Sequence, residues 1–318
     1  MLKENRYFIF NVPRRRNLKY WVQFVLLLIM DIFYKVLFTF VRKQFVAKKY
    51  KLSICAIFKN EAPYLKEWLE YYLLLEVEHF YLYNNNSTDH FQDVLMPYIK
   101  QGIVTLIDWP DVPGQISAYK NWYENYRGET NWCSFLDLDE FLCPVSEISL
   151  KDWLDKHHKY PLYAIYWKVF GTSGKIVPNN DKLVIEQYLN CWDKFATATK
   201  IIYNTDYDID RFFTSMMHKF YVRFLGMTIP PINMFGYFIN HWEIHRCSGH
   251  SYDIQCNHYW SKSYSEYQEK HKRGDAVWNN GKSVRSKKMF LWHEHNNRSK
   301  DYLIQRFLLE LKLKMSNK

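Results

Sequence analysis

Glycine and proline are scarce, ten of each in 318 residues. With so few of the residues that punctuate loops and linkers, long flexible tethers, collagen-like repeats and Pro-rich low-complexity segments are excluded. Cysteine is sparse as well, at six. The six form no C-x-x-C pair and no framework spacing, which argues against a disulfide scaffold and for reduced thiols in a cytosolic setting. Acidic residues are outnumbered, 33 against 43 Lys and Arg, for a formal net charge of +10. That balance favours anionic partners: nucleotide phosphates, nucleic acid or an anionic membrane surface. No internal repeat stands out. No small-residue cleavage site follows the apolar N-terminal stretch, so a secretory signal is not expected.

Apolar and aromatic residues are abundant instead. Hydrophobic content is 48% and aromatic content 19%, with 26 Tyr, 22 Phe and 12 Trp. A chain of this length and composition buries a large core, as one big domain or one and a half. The first 50 residues stand apart. Arg14, Arg15 and Arg16 precede an apolar stretch over residues 20–41, and Arg42, Lys43, Lys48 and Lys49 follow it. The stretch is long enough to span a bilayer. Asp31 and Lys35 interrupt it, each costing about 2.5–3.5 kcal/mol at the centre of an inserted helix, and four residues apart they share one helical face. Basic flanks on both sides give no orientation. A span, a membrane-surface helix and a helix packed on its own domain all remain open. The surface helix, peripheral on the cytoplasmic side of the membrane, is the expectation carried forward.

From residue 51 strands and helices alternate. "KLSICAIF" (51–58), "EHFYLYNNN" (78–86), "GIVTLIDW" (102–109) and "NWCSFLD" (131–137) read as strands. Residues 62–75 between them read as a helix with Leu65, Trp68, Leu69 and Tyr72 on one face, and 89–100 and 115–127 are helical too. Strands recurring at roughly 25–30 residues with helices between them predict a mostly parallel sheet of β-α-β units. Ligands gather at the carboxyl ends of such strands. The polar clusters fall there: Lys59, Asn60 and Glu61 after the first strand, then Asn84, Asn85, Asn86, Ser87, Thr88 and Asp89 after the second.

The fourth strand runs into Asp137, Leu138, Asp139 and Glu140. Carboxylates crowded in a partly desolvated place raise each other's pKa unless a cation lies between them. If the strand continues, Asp137 and Asp139 share a side, and two hard oxygen ligands suit Mg²⁺ or Mn²⁺, which takes further ligands from water and substrate phosphates. The bland alternative is a solvated turn. Further on, "HRCSGHSYDIQCNH" (245–258) is rich in His and Cys, but its spacings match no common zinc module.

Taken in order, "ICAIFKNEAPYLKEWLEYYLLLEVEHFYLYNNNSTD", "FLDLDEF", "FGTSG" and "NHYWSKS" resemble glycosyltransferase family 92 and related family 2-like glycosyltransferases, over residues 52–275. The resemblance implies a GT-A fold: a Rossmann-like nucleotide half at 51–145, an acceptor half with C-terminal helices at 146–318, and residues 1–50 as the membrane-associating helix. It implies transfer of a sugar from a nucleotide diphosphate sugar, a UDP-sugar, to a cell-surface glycan or its lipid-linked precursor, with inversion and with Mn²⁺ or Mg²⁺ as cofactor. Carried over by position, Lys59, Asn60, Glu61, Asn84, Asn86, Asp89 and Asp137 line the nucleotide-sugar pocket, with Lys262 and Arg273 near the diphosphate. Asp137, Asp139 and His258 hold the metal. Asp275 is the first candidate for the catalytic base and Glu186 the second. Glu76 stands where such sequences commonly carry Gly. The non-enzyme alternative is a basic, aromatic-rich nucleic-acid-binding protein, for which no recognised motif is present.

Overall fold

The computed structural model describes residues 18–44, 46–211, 218–239, 244–247, 251–273 and 286–316. The chain opens on α1 (Leu18–Phe40) and continues through β1 (Tyr50–Phe58), α2 (Ala62–Leu74), β2 (His79–Asn84), α3 (Phe91–Lys100), β3 (Val104–Asp108), α4 (Gln115–Asn125) and β4 (Thr130–Phe135). Next come β5 (Glu140–Pro144), α5 (Leu150–Lys156), β6 (Leu162–Val169), α6 (Val184–Gln187), β7 (Asn190–Cys191) and β8 (Thr199–Asn204). The short strands β9 (Asp208–Ile209), β10 (Val222–Phe224), β11 (Met227–Ile229) and β12 (Ile232–Asn233) follow. The chain then forms β13 (Ile254–His258), α7 (Tyr264–Arg273), α8 (Lys287–His295), β14 (Ser299–Lys300) and α9 (Leu308–Ser316).

One nine-stranded sheet carries the molecule, in the order β3-β2-β1-β4-β8-β6-β13-β5, with β12 beside β6. The first four strands are all parallel. β8 runs antiparallel to both β4 and β6, β13 is parallel to β6, and β5 is antiparallel to β13. The fold is therefore the expected α/β class with a mostly parallel central sheet. Every residue of β2, β4 and β13 is buried, as strands covered on both faces by helices must be. The sheet runs unbroken across residue 145, because β5 pairs with β13 while β6 and β8 join β4.

Helix α2 starts at Ala62-Pro63, where a missing N–H costs nothing, and buries Leu65, Trp68, Leu69 and Tyr72 as the periodicity predicts. Just past its end Glu76 adopts φ +61, the left-handed conformation that favours glycine at a helix C-terminus. Its carboxylate accepts the Ser149 hydroxyl at 2.6 Å. All six cysteines are free thiols, five of them buried.

Helix α1 is long and apolar enough to cross a membrane. One face is nevertheless docked on the protein through Leu27, Asp31 and Phe38. Asp31 accepts the Phe238 N–H at 2.9 Å and pairs with Lys35 at 2.9 Å and Arg246 at 3.5 Å. The Tyr34 hydroxyl donates to the Thr228 carbonyl at 3.0 Å. The opposite face carries Val22, Val25, Leu26, Ile29, Ile32, Phe33, Val36 and Phe40, all exposed. That spacing is one continuous helical stripe.

Candidate active site at the carboxyl edge of the sheet

β4 does not extend through the acidic run. It ends at Phe135, residues 136–139 form a turn, and β5 begins at Glu140. Strand alternation therefore does not bring Asp137 and Asp139 together; each is held by its own lysine. β8 runs antiparallel to β4 with Ser134 opposite Ile202, which carries Lys200 just beyond the end of β4. The Lys200 ammonium, wholly buried, lies 3.0 Å from Asp137 Oδ2 and 2.9 Å from Glu140 Oε2. Burial works against that charge, but Asp137 and Glu140 raise the Lys200 pKa well above its usual value. Burial also pushes the Glu140 carboxyl up, against the pull of Lys200. The other oxygen of Asp137 accepts from Gln115 Nε2 at 3.0 Å, and Gln115 is the first residue of α4.

Asp139 faces the C-terminal half. Antiparallel register sets His258 opposite Glu140, and the Tyr259 N–H donates to the Asp139 carbonyl at 2.8 Å. His258 Nε2 then lies 3.6 Å from Asp139 Oδ1, although the two residues are 119 apart in sequence (258 − 139). The second oxygen, Oδ2, is 2.5 Å from the Lys270 ammonium. Burial raises the Asp139 carboxyl, yet Lys270, His258 and Lys262 together hold it well below the usual carboxylate range.

Lys270 is aimed by the start of its helix. Ser263 and Glu266 form a reciprocal cap on α7: the Ser263 N–H donates to Glu266 Oε2 at 2.8 Å, and Ser263 Oγ accepts the Glu266 N–H at 3.3 Å. Glu266 also accepts the hydroxyls of Tyr64 and, at 2.8 Å, Tyr188. This ties α7 to α2, and Lys270 lies one turn further on. Lys262 adopts φ +50 before the cap. Its ammonium is 2.9 Å from the Tyr64 ring centroid and 3.5 Å from Glu61 Oε2. Burial lowers its pKa against Glu61.

The asparagine-rich ends of β1 and β2 are laced to one another. Asn60, at φ +53, accepts the Thr88 N–H at 2.7 Å through Oδ1, and its own N–H donates to Ser87 Oγ at 3.0 Å. Lys59 lies beside it, directly after β1. Asn84 Nδ2 donates to Asp108 Oδ1 at 2.9 Å, and Asn86 Nδ2 to the Pro110 carbonyl at 3.1 Å. Asp89 Oδ2 accepts the Ala62 N–H at 2.8 Å, satisfying the start of α2, while its Oδ1 is buried without a hydrogen-bond partner. At the N-cap of α4, a Cβ on Gly114 would come within 2.6 Å of the Asp111 carbonyl oxygen and 2.9 Å of Asn85 Nδ2. Only glycine lets α4 approach this edge.

The sequence-predicted residues thus divide. Asp137, Asp139, His258, Glu61 and Lys262 come together with Lys200 and Lys270 in one charged network, and Asn60, Asn84, Asn86 and Asp89 build the adjoining loops. Glu186 is elsewhere engaged, with its carboxylate 2.7 Å from Lys312 and 4.0 Å from Lys182. Asp275 lies outside the described residues; Arg273 is the last residue of α7. In the His/Cys run, His245 Nδ1 pairs with the Tyr166 hydroxyl at 2.8 Å and Cys256 is buried in β13; His250 is outside the described residues. Among the described residues no three His, Cys, Asp or Glu side chains converge on one point. Sequence reasoning missed Gln115, Lys200 and Lys270. A signal existed for Lys200, a lone charge in the apolar strand "TKIIYN", which can be buried only if paired.

A glycosyltransferase family 92 model matches residues 48–290. A family 92 protein of Ricinus communis is 35% identical over 94 residues, which is 29% of this chain and 16% of that protein. A galactan beta-1,4-galactosyltransferase of Arabidopsis thaliana is 30% identical over 132 residues, 37% of this chain and 26% of that one. The matched stretches are thus about a quarter or less of these relatives' lengths. Among solved structures, Staphylococcus aureus TarS 1–349 overlaps at 18% identity and TM-score 0.33, covering 49% of this chain and 47% of that one. Glucosyl-3-phosphoglycerate synthase from Mycobacterium tuberculosis, in complex with Mn²⁺, UDP and glucosyl-3-phosphoglycerate, overlaps at 16% identity and TM-score 0.28, covering 37% of this chain and 44% of that one. Spanning about three quarters of the sequence, the family match settles membership: the chain belongs to glycosyltransferase family 92.

Proposed function

We propose that the protein transfers a glycosyl group from a UDP-sugar to a hydroxyl of a glycan or lipid-linked glycan, with inversion at the anomeric carbon. The observation that supports this best is the charged network at the carboxyl edge, where Asp137, Asp139 and His258 from both halves of the chain meet three buried lysines. In the reaction an acceptor oxygen forms a bond to the anomeric carbon. The bond from that carbon to the phosphate oxygen breaks, and its electron pair leaves with the nucleoside diphosphate. In this reading Lys270 and Lys262, paired with Asp139 and Glu61 in the free protein, bind the leaving phosphates, a positive charge where negative charge develops. The acceptor proton passes to a carboxylate base, for which Asp275 is the candidate, Glu186 being committed to Lys312 and Lys182.

Asp139 Oδ1 and His258 Nε2, 3.6 Å apart, are an oxygen–nitrogen pair suited to one divalent cation, whereas Asp137, engaged by Lys200 and Gln115, does not converge with them. So small a protein ligand set fits Mn²⁺ or Mg²⁺, which takes its remaining ligands from water and phosphate. When bound, such an ion offsets charge on the diphosphate. The membrane-facing part of the proposal rests on α1: its apolar stripe supports a peripheral seat on a membrane surface, and the cytoplasmic face is part of the proposal.

The deciding experiment incubates the protein with a panel of nucleotide sugars and Mn²⁺ or Mg²⁺ and measures release of nucleoside diphosphate. Turnover of one UDP-sugar that stops on chelation supports the proposal. Equal inertness toward every donor, with and without acceptor glycans, overturns it.

A further inference from the structure

A cavity of 680 Å³ opens at the other edge of the sheet. Lys51 and Trp132, which line it, stand at the amino ends of the parallel strands β1 and β4. Asp137 and Asp139 follow the carboxyl end of β4, so this cavity is no part of the site described above.

Its lining is cationic beyond what its own acids offset. Arg42, Lys43, Lys51 and Lys159 face Asp155 and Asp206 there. Both acids already have partners: Lys51 pairs with Asp155, and Lys48 pairs with Asp206 at 2.8 Å. Lys43 donates to the neutral carbonyl of Asp206 and sits 5.3 Å from the Tyr207 ring centroid. Lys159 donates to the Thr39 hydroxyl at 3.0 Å. Arg42 forms no ion pair among the described residues. Arg42, Lys43 and Lys159 therefore line a concave space beside Trp132 without an ion pair to a carboxylate among the described residues, Asp208 acting on Lys43 only at longer range.

Its position names the anion. Arg42 and Lys43 come directly after α1, whose exposed apolar stripe ends at Phe40, and Lys159 is tied to Thr39 in the last turn of that helix. Cationic mouth and apolar stripe are continuous. We propose that this cavity binds the phosphate headgroup of an anionic membrane lipid, with the acyl chains lying along α1. This rests on the reading of α1 as a membrane-surface helix. It goes further in making the contact a built site for one headgroup rather than diffuse attraction to a charged surface.

The test is flotation of the full chain with phosphatidylcholine vesicles and with phosphatidylcholine–phosphatidylglycerol vesicles. Three double variants are compared: Arg42→Gln/Lys159→Gln in the cavity, Lys120→Gln/Lys272→Gln as an exposed control of equal charge change, and Ile29→Asn/Ile32→Asn in the stripe. The cavity variant is expected to lose about fivefold per cation, roughly 25-fold in all, in its preference for the anionic vesicles. It should keep its binding to neutral ones, and the control should lose little. Equal loss in cavity and control variants overturns the site while leaving the surface helix standing. If the stripe variant binds both vesicles like the parent, or the parent binds neither, the surface helix fails and the site with it. Inorganic phosphate or glycerol phosphate at millimolar concentration should not release the protein from anionic vesicles; release would identify a free-phosphate site and overturn the lipid assignment.

Discussion

Lys200 shows how a single residue decides whether the acidic run is tolerable. Its ammonium bridges Asp137 and Glu140 with no exposure of its own. Removing one member of a buried ion pair leaves uncompensated charge, which costs about 3–5 kcal/mol. Lys200→Met should therefore lower the free energy of unfolding by about that much in urea titration, and adding Glu140→Gln should recover part of it. Unchanged stability in the single variant would contradict this role. At Asp139 the expectation differs. Asp139→Asn keeps the shape and an acceptor for Lys270 while removing charge, so transfer should fall by orders of magnitude with little change in melting temperature. His258→Ala should weaken Mn²⁺ binding in the presence of UDP, read by calorimetry, far more than it lowers melting temperature. Wild-type affinity in that variant would remove His258 from the ligand set.

Among the elements, α1 is the one whose sequence is most misleading in isolation. Asp31 looks like a defect in an apolar helix, yet it is the pin that docks the helix, taking the Phe238 N–H and the charges of Lys35 and Arg246. Hydrogen bonds to charged groups contribute about 1.5–3 kcal/mol each. Asp31→Ala should therefore raise the detached population of α1 by roughly 10- to 150-fold. The readout is faster trypsin cleavage at Arg42 to Lys49, with the melting of the remaining domain unchanged. Cleavage at the parent rate would mean that the apolar contacts of Leu27 and Phe38 suffice. Helix α7 makes the complementary point. Its Ser263–Glu266 cap is readable in sequence as S-x-x-E, but the tie from Glu266 to Tyr64 of α2, which aims Lys270 at Asp139, is not.

For the whole molecule, four histidines set the response to acid. Burial lowers His79, His218 and His245 to about 4 and His293 to about 3. Above pH ~6.5 the rings are neutral in both the folded and the unfolded chain. As pH falls from there toward about 4, the unfolded chain takes up protons that the folded chain refuses, so stability falls. Three groups act oppositely: Glu67, raised to about 7, Glu140, and His157, raised against its burial by Asp253, bind protons in the folded state and gain stability as pH falls. Four rings outweigh these three. The melting temperature should therefore drop between pH 7 and pH 5, and a flat or rising profile would contradict the burial of these rings.

Periodicity and composition alone determined the local elements. Apolar runs alternating with helices had to be the parallel strands β1 to β4, the Pro63 start and the Leu65, Trp68, Leu69 and Tyr72 face fixed α2, and the excess of lysine and arginine called for an anionic partner. The family-specific blocks added Asp137, Asp139 and His258 as residues to watch. What local pattern could not supply was pairing at long range. The strand order β4-β8-β6-β13-β5 is set by register between segments far apart in sequence. That register places Lys200 past the end of β4 and His258 opposite Glu140. The same limit hid the turn at 136–139, which reads as a continuing strand until β5 is seen to pair with β13. It also hid the cavity at the amino edge, since Arg42, Lys51 and Lys159 share no local signal. A charge in sequence has only its neighbours to interpret it, whereas in the fold its partner is whichever group the sheet brings within about 3 Å.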